Sequence, residues 1–284
     1  SRALYVQALG ELGAALSYTA GLRWDDDEFY GRHLTWRAGA GAALPGGFRA
    51  RAALGTAFKA PTLDEASAAA VQGRALEPER SRGWEVGIER DSPGGRVVVG
   101  LTWFDQRFAE LIQYVGATPT FEPIYENVGE AVSRGTELEA RLRLVDPVLL
   151  GASWTYLHTE VLAAETEGPS FRIGSPLLRR PRHRVGATLD VRLPRASSIG
   201  AGASWVGERA DVRYHVDFSS ERVTLPSHAT LDLGGETRLA RRAGPLGAVI
   251  FTARATNVLD ERYEGIAGFQ SPGRVVAAGV RVEF

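Results

Sequence analysis

The densest set of metal-ligand oxygens in the chain is Asp25-Asp26-Asp27-Glu28, a run of consecutive carboxylates. Hard oxygens of this kind suit calcium. The run lacks the alternating positions and the glycine of an EF-hand loop, so its plainer reading is an exposed acidic loop. The histidines, His33, His158, His183, His215 and His228, are scattered. No paired-histidine metal motif, nucleophile elbow or glycine-rich phosphate loop accompanies them, and His215 with Asp217 reads as a chance neighbour pair. A hydrolase needs a compact acid, base or Ser-His constellation, so an enzyme is not expected. What remains is a set of rings and a guanidinium suited to stacking and anion pairing: Phe29, Tyr30, Arg32, Phe121, Tyr214, Phe218, Tyr263 and Phe269. Tyr114 and Tyr125 are of the same type but lie near strand ends, which favours an interfacial aromatic belt for them.

The elements that carry these groups alternate with a period of two. Leu12, Ala14, Leu16, Tyr18, Ala20 and Leu22 alternate with small or polar residues, as do Trp84, Val86 and Ile88, and Leu138, Ala140, Leu142 and Leu144. The C-terminal segment repeats the pattern, with Val276, Ala278, Val280, Val282 and Phe284 on one face and Gly279, Arg281 and Glu283 on the other. Few helical patterns survive. Roughly thirteen strands result, most near the 9–11 residues that cross a membrane at a steep tilt.

Alternation alone suits a soluble sandwich as well as a barrel, and the connections separate the two. Tight turns are expected at Gly10-Glu11, Leu44 to Gly47, Asp91 to Gly95, Asp146-Pro147, Pro194 to Ser197 and Arg241 to Pro245. Longer segments lie between them, from Asp25 to Gly31, Lys59 to Ser81, Gly116 to Glu122, Leu162 to Leu178, Asp217 to Ser227 and Leu259 to Ser271. Short turns on one rim and long loops on the other are the pattern of an outer-membrane barrel; a sandwich has no reason to keep such parity. The charged faces then point to the lumen: Glu137, Glu139, Arg141, Arg143, Arg184, Asp190, Arg192, Asp232, Glu236, Arg238, Arg254 and Arg281. Their expected role is plug docking and cross-strand pairing within the wall. The aromatic and arginine candidates fall on the long-loop side, where a ligand would arrive.

Composition is compatible with this. Hydrophobic residues are 44% and charged residues 24% of the chain, yet no apolar run reaches the length of a membrane helix. A net charge of -1 argues against nonspecific nucleic-acid binding. The sequence has no Met, no leader precedes the first strand, and the strand count is odd. Since a lipid-embedded sheet edge leaves backbone groups unpaired, the chain is expected to be the C-terminal part of a larger barrel.

Several motifs carry a family resemblance. Gly55 to Glu65 (GTAFKAPTLDE), Leu76 to Arg82 (LEPERSR) with Trp84-Glu85, and Asn127 to Glu130 (NVGE) with Arg134 to Glu139 (RGTELE) come first. Arg180 to His183 (RPRH), Asn257 to Tyr263 (NVLDERY) and Pro272 to Arg274 (PGR) follow. In this order the set resembles TonB-dependent outer-membrane receptors across essentially the whole chain, and is most similar to cobalamin and ferric-siderophore receptors. Thr136, read as lumen-facing, stands where that family more often has Val.

The resemblance implies an all-β, transmembrane antiparallel barrel of about twenty-two strands around a plug. Residues 1–284 would be about the last thirteen strands, with the plug domain and first strands absent. It implies active uptake of a scarce, large substrate such as cobalamin or a ferric siderophore across the outer membrane of a Gram-negative bacterium. The implied partners are the TonB-ExbB-ExbD complex acting through the N-terminal region, the chain's own plug, outer-membrane lipid and the barrel assembly machinery. No resident cofactor is implied, although related cobalamin receptors hold calcium in outer loops, which keeps Asp25, Asp26, Asp27 and Glu28 as a weak metal candidate. An autotransporter translocator and a passive porin are the alternatives. The first should open with a pore-threading helix and the second should have an even strand count.

Motif residues also have architectural readings. Pro61 lacks a donor and ends a ladder after Lys59; Gly135 is expected to mark a β-bulge or, less favoured, a close approach of the plug; Asn257 and Asp260 are expected to bond the backbone of a turn.

Overall fold

The computed structural model describes residues 2–164, 167–194, 196–217, 219–243 and 246–283. The chain begins with β1 (Arg2–Leu12), β2 (Leu16–Asp27), β3 (Gly31–Leu44) and β4 (Phe48–Lys59), then a short helix, α1 (Leu63–Val71). The meander continues through β5 (Glu79–Asp91), β6 (Val97–Ala117), β7 (Pro123–Val145), β8 (Val148–Ala163), β9 (His183–Leu193) and β10 (Ser197–Val206). A loop hairpin, β11 (Arg209–Tyr214) and β12 (Ser220–Leu225), precedes β13 (His228–Ala243) and β14 (Leu246–Thr256). A second small hairpin, β15 (Glu264–Ile266) and β16 (Phe269–Gln270), precedes β17 (Val275–Glu283). All but the two loop hairpins form one open antiparallel sheet of 13 strands, each paired with its neighbour in chain order.

The register keeps two faces separate across the sheet. Ile88 stands opposite Leu101, Leu101 opposite Leu138, Leu138 opposite Trp154 and Trp154 opposite Val185. One residue along, Gly87, Thr102, Glu137, Thr155 and Arg184 make the corresponding polar row. A one-residue slip would exchange the faces, so the pattern itself pins the register. The apolar face is largely exposed, with Leu34 at 59% and Val280 at 64%. The buried clusters lie elsewhere, under the long loops: Ala69, Leu76 and Ile112 with Tyr125, and Val161 and Phe171 with Leu111, Val115 and Leu177. Such an inside-out distribution is expected where lipid covers the wall and only the loops must build a core of their own.

Several expectations change. The first tight turn lies at residues 13–15, beyond Gly10-Glu11, because Gly13 supplies the positive φ of +66 that the reversal needs. Asp25, Asp26 and Asp27 are in β2, and only residues 28–30 separate it from β3, so this outer connection is short. The strand continues because its carboxylates find partners, as described below. The Lys59 to Ser81 segment, expected as a long connection without a helix, carries α1: the Thr62 hydroxyl accepts from Glu65 N, and the Glu65 carboxylate accepts from Thr62 N at 2.7 Å, closing a capping box.

Gly135 makes no bulge. It pairs in register with Phe104 and Leu157, and a Cβ there would fall 2.1 Å from the Tyr156 carbonyl oxygen and 2.9 Å from the Phe104 ring. Its neighbours are therefore in the wall. Thr136 pairs with Trp103 and Tyr156 and shares the apolar face with Leu138, so it does not face the lumen. The Pro194 to Ser197 turn matches the strand bounds to within one residue, since Ser197 already opens β10, but β13 runs through Ala243, so Arg241 to Ala243 belong to a strand and not to the expected turn; Arg195, Gly244, Pro245 and Phe284 lie outside the described residues.

Candidate functional site

The strand ends and long connections of the outer rim interlock in two assemblies. In the first, the segment carrying α1 is fastened to the extended β6–β7 hairpin, whose strands of 21 and 23 residues run well past what a bilayer requires. Lys59 lies 3.8 Å from Glu65 and 3.4 Å from Glu79, and the Glu79 carboxylate also accepts from Ile112 N at 2.9 Å. Asn127 accepts from Glu77 N at 2.8 Å, while its amide donates to the carbonyls of Glu77 and Glu110 at 2.8 and 2.7 Å. Gln72 donates to the Pro123 carbonyl at 2.9 Å, and Arg74 pairs with Glu126. Lys59, Glu77, Glu79 and Asn127 belong to the KAP, LEPE and NVGE motifs, and their polar atoms are used within this assembly.

The second assembly is built on Asp211, which is 0% exposed. Its carboxylate accepts from Arg179 Nε at 2.9 Å, Ala267 N at 2.9 Å and Val212 N at 2.8 Å. One buried charge thus joins the β8–β9 segment, the β11–β12 hairpin and the β15–β16 hairpin. Arg222 donates to the carbonyls of Pro169 and Pro176 at 3.0 and 2.5 Å, and Arg209 donates to that of Glu264 at 2.6 Å. The Glu264 carboxylate accepts from Gly268 N and from Arg213, both at 3.0 Å; the backbone donor, and then Arg213, hold it below the usual carboxylate range. Behind this assembly Asn257, at φ 49, receives Glu261 N at 3.0 Å and donates to the carbonyls of Glu261 and Pro272 at 2.8 and 3.3 Å. Asp260 accepts from Arg274 N at 2.8 Å. The NVLD and PGR motifs are two halves of one turn.

The ring and guanidinium candidates divide between these assemblies and isolated tips. Tyr214 meets Tyr114 edge-on at 5.7 Å, and Tyr114 meets Tyr125 at 6.0 Å, so a tyrosine trio bridges the β6–β7 hairpin and β11. Burial, then its two neighbours, pushes the Tyr114 phenol up. By register Tyr114 and Tyr125 share the polar face of the hairpin with Glu126's neighbours rather than the apolar one, so the expected belt placement is overturned. Tyr263 stacks on His228 at 3.8 Å with 8° between the planes, which occupies one ring face. Phe29, at 84%, and Phe269, at 72%, are exposed on separate turns; Phe121, at 74%, tips the β6–β7 hairpin at φ 67. Tyr30 is half-buried and Arg32 lies 3.6 Å from Asp26. Phe218 lies outside the described residues.

The acidic run is not gathered as a ligand set. Asp25 pairs with Arg23 at 2.7 Å, Asp26 faces Arg32, and Asp27 accepts from Phe29 N and Tyr30 N at 2.9 and 3.1 Å, which lowers its pKa. Among the described residues no group of three or more acidic or histidine side chains is arranged to hold a metal. His215 faces Glu221 at 3.4 Å, while Asp217 accepts from the Ser219 hydroxyl at 2.6 Å, so the sequence neighbours do not form a dyad.

On the sheet itself, Glu137, Glu139, Arg141 and Arg143 share the polar face with Arg184, Asp190, Arg192, Asp232, Glu236, Arg238, Arg254 and Arg281. Asp232 lies 3.9 Å from Arg254, and Glu283 lies 3.6 and 3.5 Å from Arg238 and Arg281. A concavity of about 950 Å3 on this face is lined by Arg143, Asp190, Arg192, Asp232, Glu236 and Arg254. Arg49, paired with Glu89, and Arg51, donating to Thr102 at 2.8 Å, belong to the same face and escaped the sequence reading because alanine-rich β3 and β4 blur the alternation there. Asp211, Arg179 and Arg222 were also missed: nothing in sequence distinguishes a loop charge that bonds across loops from one that faces water.

Residues 1–258 match the family model described as TonB dependent receptor-like, beta-barrel. Among solved structures, the ferric enterobactin receptor of Pseudomonas aeruginosa is 23% identical, with a TM-score of 0.74 over 98% of this chain and 44% of that one. The siderophore receptor PirA of Acinetobacter baumannii is 16% identical, with a TM-score of 0.76 over 98% of this chain and 45% of that one. FpvA of P. aeruginosa, solved with heterologous pyoverdines, is 16% identical, with a TM-score of 0.72 over 98% and 37%. The chain therefore spans less than half the length of these structures.

Proposed function

Because the chain belongs to the TonB-dependent receptor β-barrel family, whose barrels lie in the outer membrane, we propose that it supplies wall and outer loops to an importer of ferric siderophores. The observation that carries this is the family match over residues 1–258. In this reading the polar face lines the lumen and docks a plug, the apolar face meets lipid, and the interlocked loops form the rim that a ligand first meets. Tyr214 with Tyr114, Phe121, Phe269 and Arg32 supply stacking and anion-pairing surface there, which suits an anionic chelate. The structural relatives are a ferric enterobactin receptor, a siderophore receptor and a protein solved with an iron-pyoverdine complex, which favours a ferric chelate over cobalamin. Energy would come from TonB with ExbB and ExbD, and folding into the membrane from the barrel assembly machinery.

The test is uptake by cells expressing the full-length parent gene, comparing labelled ferric siderophores with labelled cobalamin, with and without TonB. TonB-dependent accumulation of iron is the expected result. Accumulation of cobalamin alone would overturn the cargo, and equal passage without TonB would make the protein a passive channel.

A further inference from the structure

The tryptophans and a pair of opposed arginines define a site on the outside of the wall. Trp24, Trp36, Trp84, Trp103, Trp154 and Trp205 all lie on the apolar face, opposite Leu34, Leu22, Leu54, Val86, Leu138 and Val185 respectively. From Trp24 to Trp154 their positions are staggered, and Trp205 is level with Trp154, since Val185 pairs with both. Trp36 lies one same-face step nearer the tight turns than Leu34, the partner of Trp24. Trp84 is one step below Trp36, since Leu54 pairs with both Trp84 and Ala38; Trp103 is one step below Asp105, the partner of Trp84. Trp154 is one step below Tyr156, which shares Thr136 with Trp103. A line that descends step by step across paired strands becomes level when the strands tilt, as closure of a barrel requires. Tryptophans at one level on a lipid-facing wall mark the boundary between hydrocarbon and headgroups.

Just beyond this line, toward the long loops, the same face turns basic. Arg82 is one same-face step above Trp84 and stands directly opposite Arg107, while Arg134 stands opposite Asp105. Like charges directly opposite one another on a sheet destabilise it unless an anion intervenes. Three acids share this part of the face: Asp105, 4.0 Å from Arg107, Glu130, diagonal to Arg107 across the pair, and Glu160, 3.4 Å from His158; only Asp105 is within ion-pair distance of one of the arginines. Among the described residues Arg82 and Arg134 have no ion-pair or side-chain hydrogen-bond partner, and both are exposed. We propose that Arg82 and Arg107, with Arg134 beside them, bind the phosphate groups of outer-leaflet lipid on the outer wall of the barrel. The guanidinium fork suits phosphate, the height matches a headgroup, and the missing counter-charge is supplied by the membrane itself.

The proposal rests on the outer-membrane setting of the barrel, so each protein is first scored for outer-membrane fractionation and heat-modifiable migration; failure of the wild type there refutes the setting and not the site alone. Native mass spectrometry of the full-length parent protein then measures retention of bisphosphorylated lipid A against its dephosphorylated form. The wild type should retain the phosphorylated lipid at least tenfold better. The double variant Arg82→Gln with Arg107→Gln should lose that preference, and Arg90→Gln, near the tight-turn end of the same strand face, should keep it within twofold. Should the double variant fail to fold, Asp105→Asn removes the one acid competing for Arg107 and should at least double retention. Unchanged retention in the double variant or in Asp105→Asn, equal binding of the two lipids, or displacement by millimolar inorganic phosphate as effective as by lipid would overturn the proposal.

Discussion

Replacing Asp211 by alanine should release three outer segments at once while leaving the barrel wall intact. The carboxylate is 0% exposed and holds Arg179 Nε, Ala267 N and Val212 N. Arg179 is 44% exposed on its side chain, so water can replace its bond and its loss weighs little. The Ala267 amide is different, because Ala267 is 8% exposed and its donor would be left dry at a cost of about 1–3 kcal/mol. Adding the lost charge-assisted bond, about 1.5–3 kcal/mol before discounting, gives a local destabilisation of roughly 3 kcal/mol. At about 1.4 kcal/mol per decade, opening of the assembly should rise on the order of a hundredfold. Hydrogen exchange of the full-length parent protein in detergent reads this directly. Peptides covering residues 170–182, 205–215 and 260–270 should accelerate together, with heat-modifiable migration unchanged. Acceleration confined to the 205–215 peptide, or below about threefold, would refute the hub reasoning. Asp211→Asn keeps an acceptor for one amide and should fall between the two.

Other expectations follow from single observations. Gly135→Ala puts a Cβ 2.1 Å from the Tyr156 carbonyl, in the middle of paired strands, and should destabilise the barrel by about 1–3 kcal/mol in urea titrations; a neutral result would remove the close-approach argument. Leu138→Arg, on the apolar face, should cost about 2–4 kcal/mol in a bilayer, whereas Glu137→Arg on the other face should cost under about 1 kcal/mol, and equal costs would mean the faces are misassigned. The Glu264 carboxyl has a lowered folded pKa, so its bond to Gly268 N contributes fully above the unfolded value of about 4.3 and is lost as pH falls through the folded value. Exchange at Gly268, corrected for intrinsic rate, should be flat from pH 5 to 8 and rise only below about pH 4; protection lost on raising the pH would contradict this.

The wall was legible in the chain because lipid and lumen impose opposite chemistry on successive residues. Leu138 beside Glu137, or Val280 beside Arg281, can be sorted without coordinates, and the register bears the sorting out. Where that pressure stops, reading fails. Asp25, Asp26 and Asp27 look like a loop because strands are recognised by alternating apolarity, yet beyond the membrane a strand needs only pairing partners, and Arg23 and Arg32 satisfy them. Gly10 looked like a turn and Gly13 is one; Gly10 instead lies under the Tyr18 phenol, where a Cβ would meet the hydroxyl at 2.5 Å and the ring at 2.6 Å. In Gly10, as in Gly135, the absent side chain makes room for a neighbouring one, and a single sequence does not separate that from conformational need.

The family motifs illustrate the same limit from the other side. They drew attention as signatures, and the structure uses most of them to tie the outer loops to one another rather than to present groups to a ligand. Asn127 spends its amide on Glu77 and Glu110, Asn257 on Glu261 and Pro272, and Lys59 lies between Glu65 and Glu79. Beyond the small apolar clusters around Ile112 and Val161, these loops are ordered by side chains that satisfy distant backbone groups, and replacing such a side chain leaves a donor or acceptor without its partner. Ligand contacts carry no such constraint on residue type. In the proposed reading the cargo surface falls instead to exposed rings such as Phe29 and Phe269, which stand on separate turns outside that bonded frame.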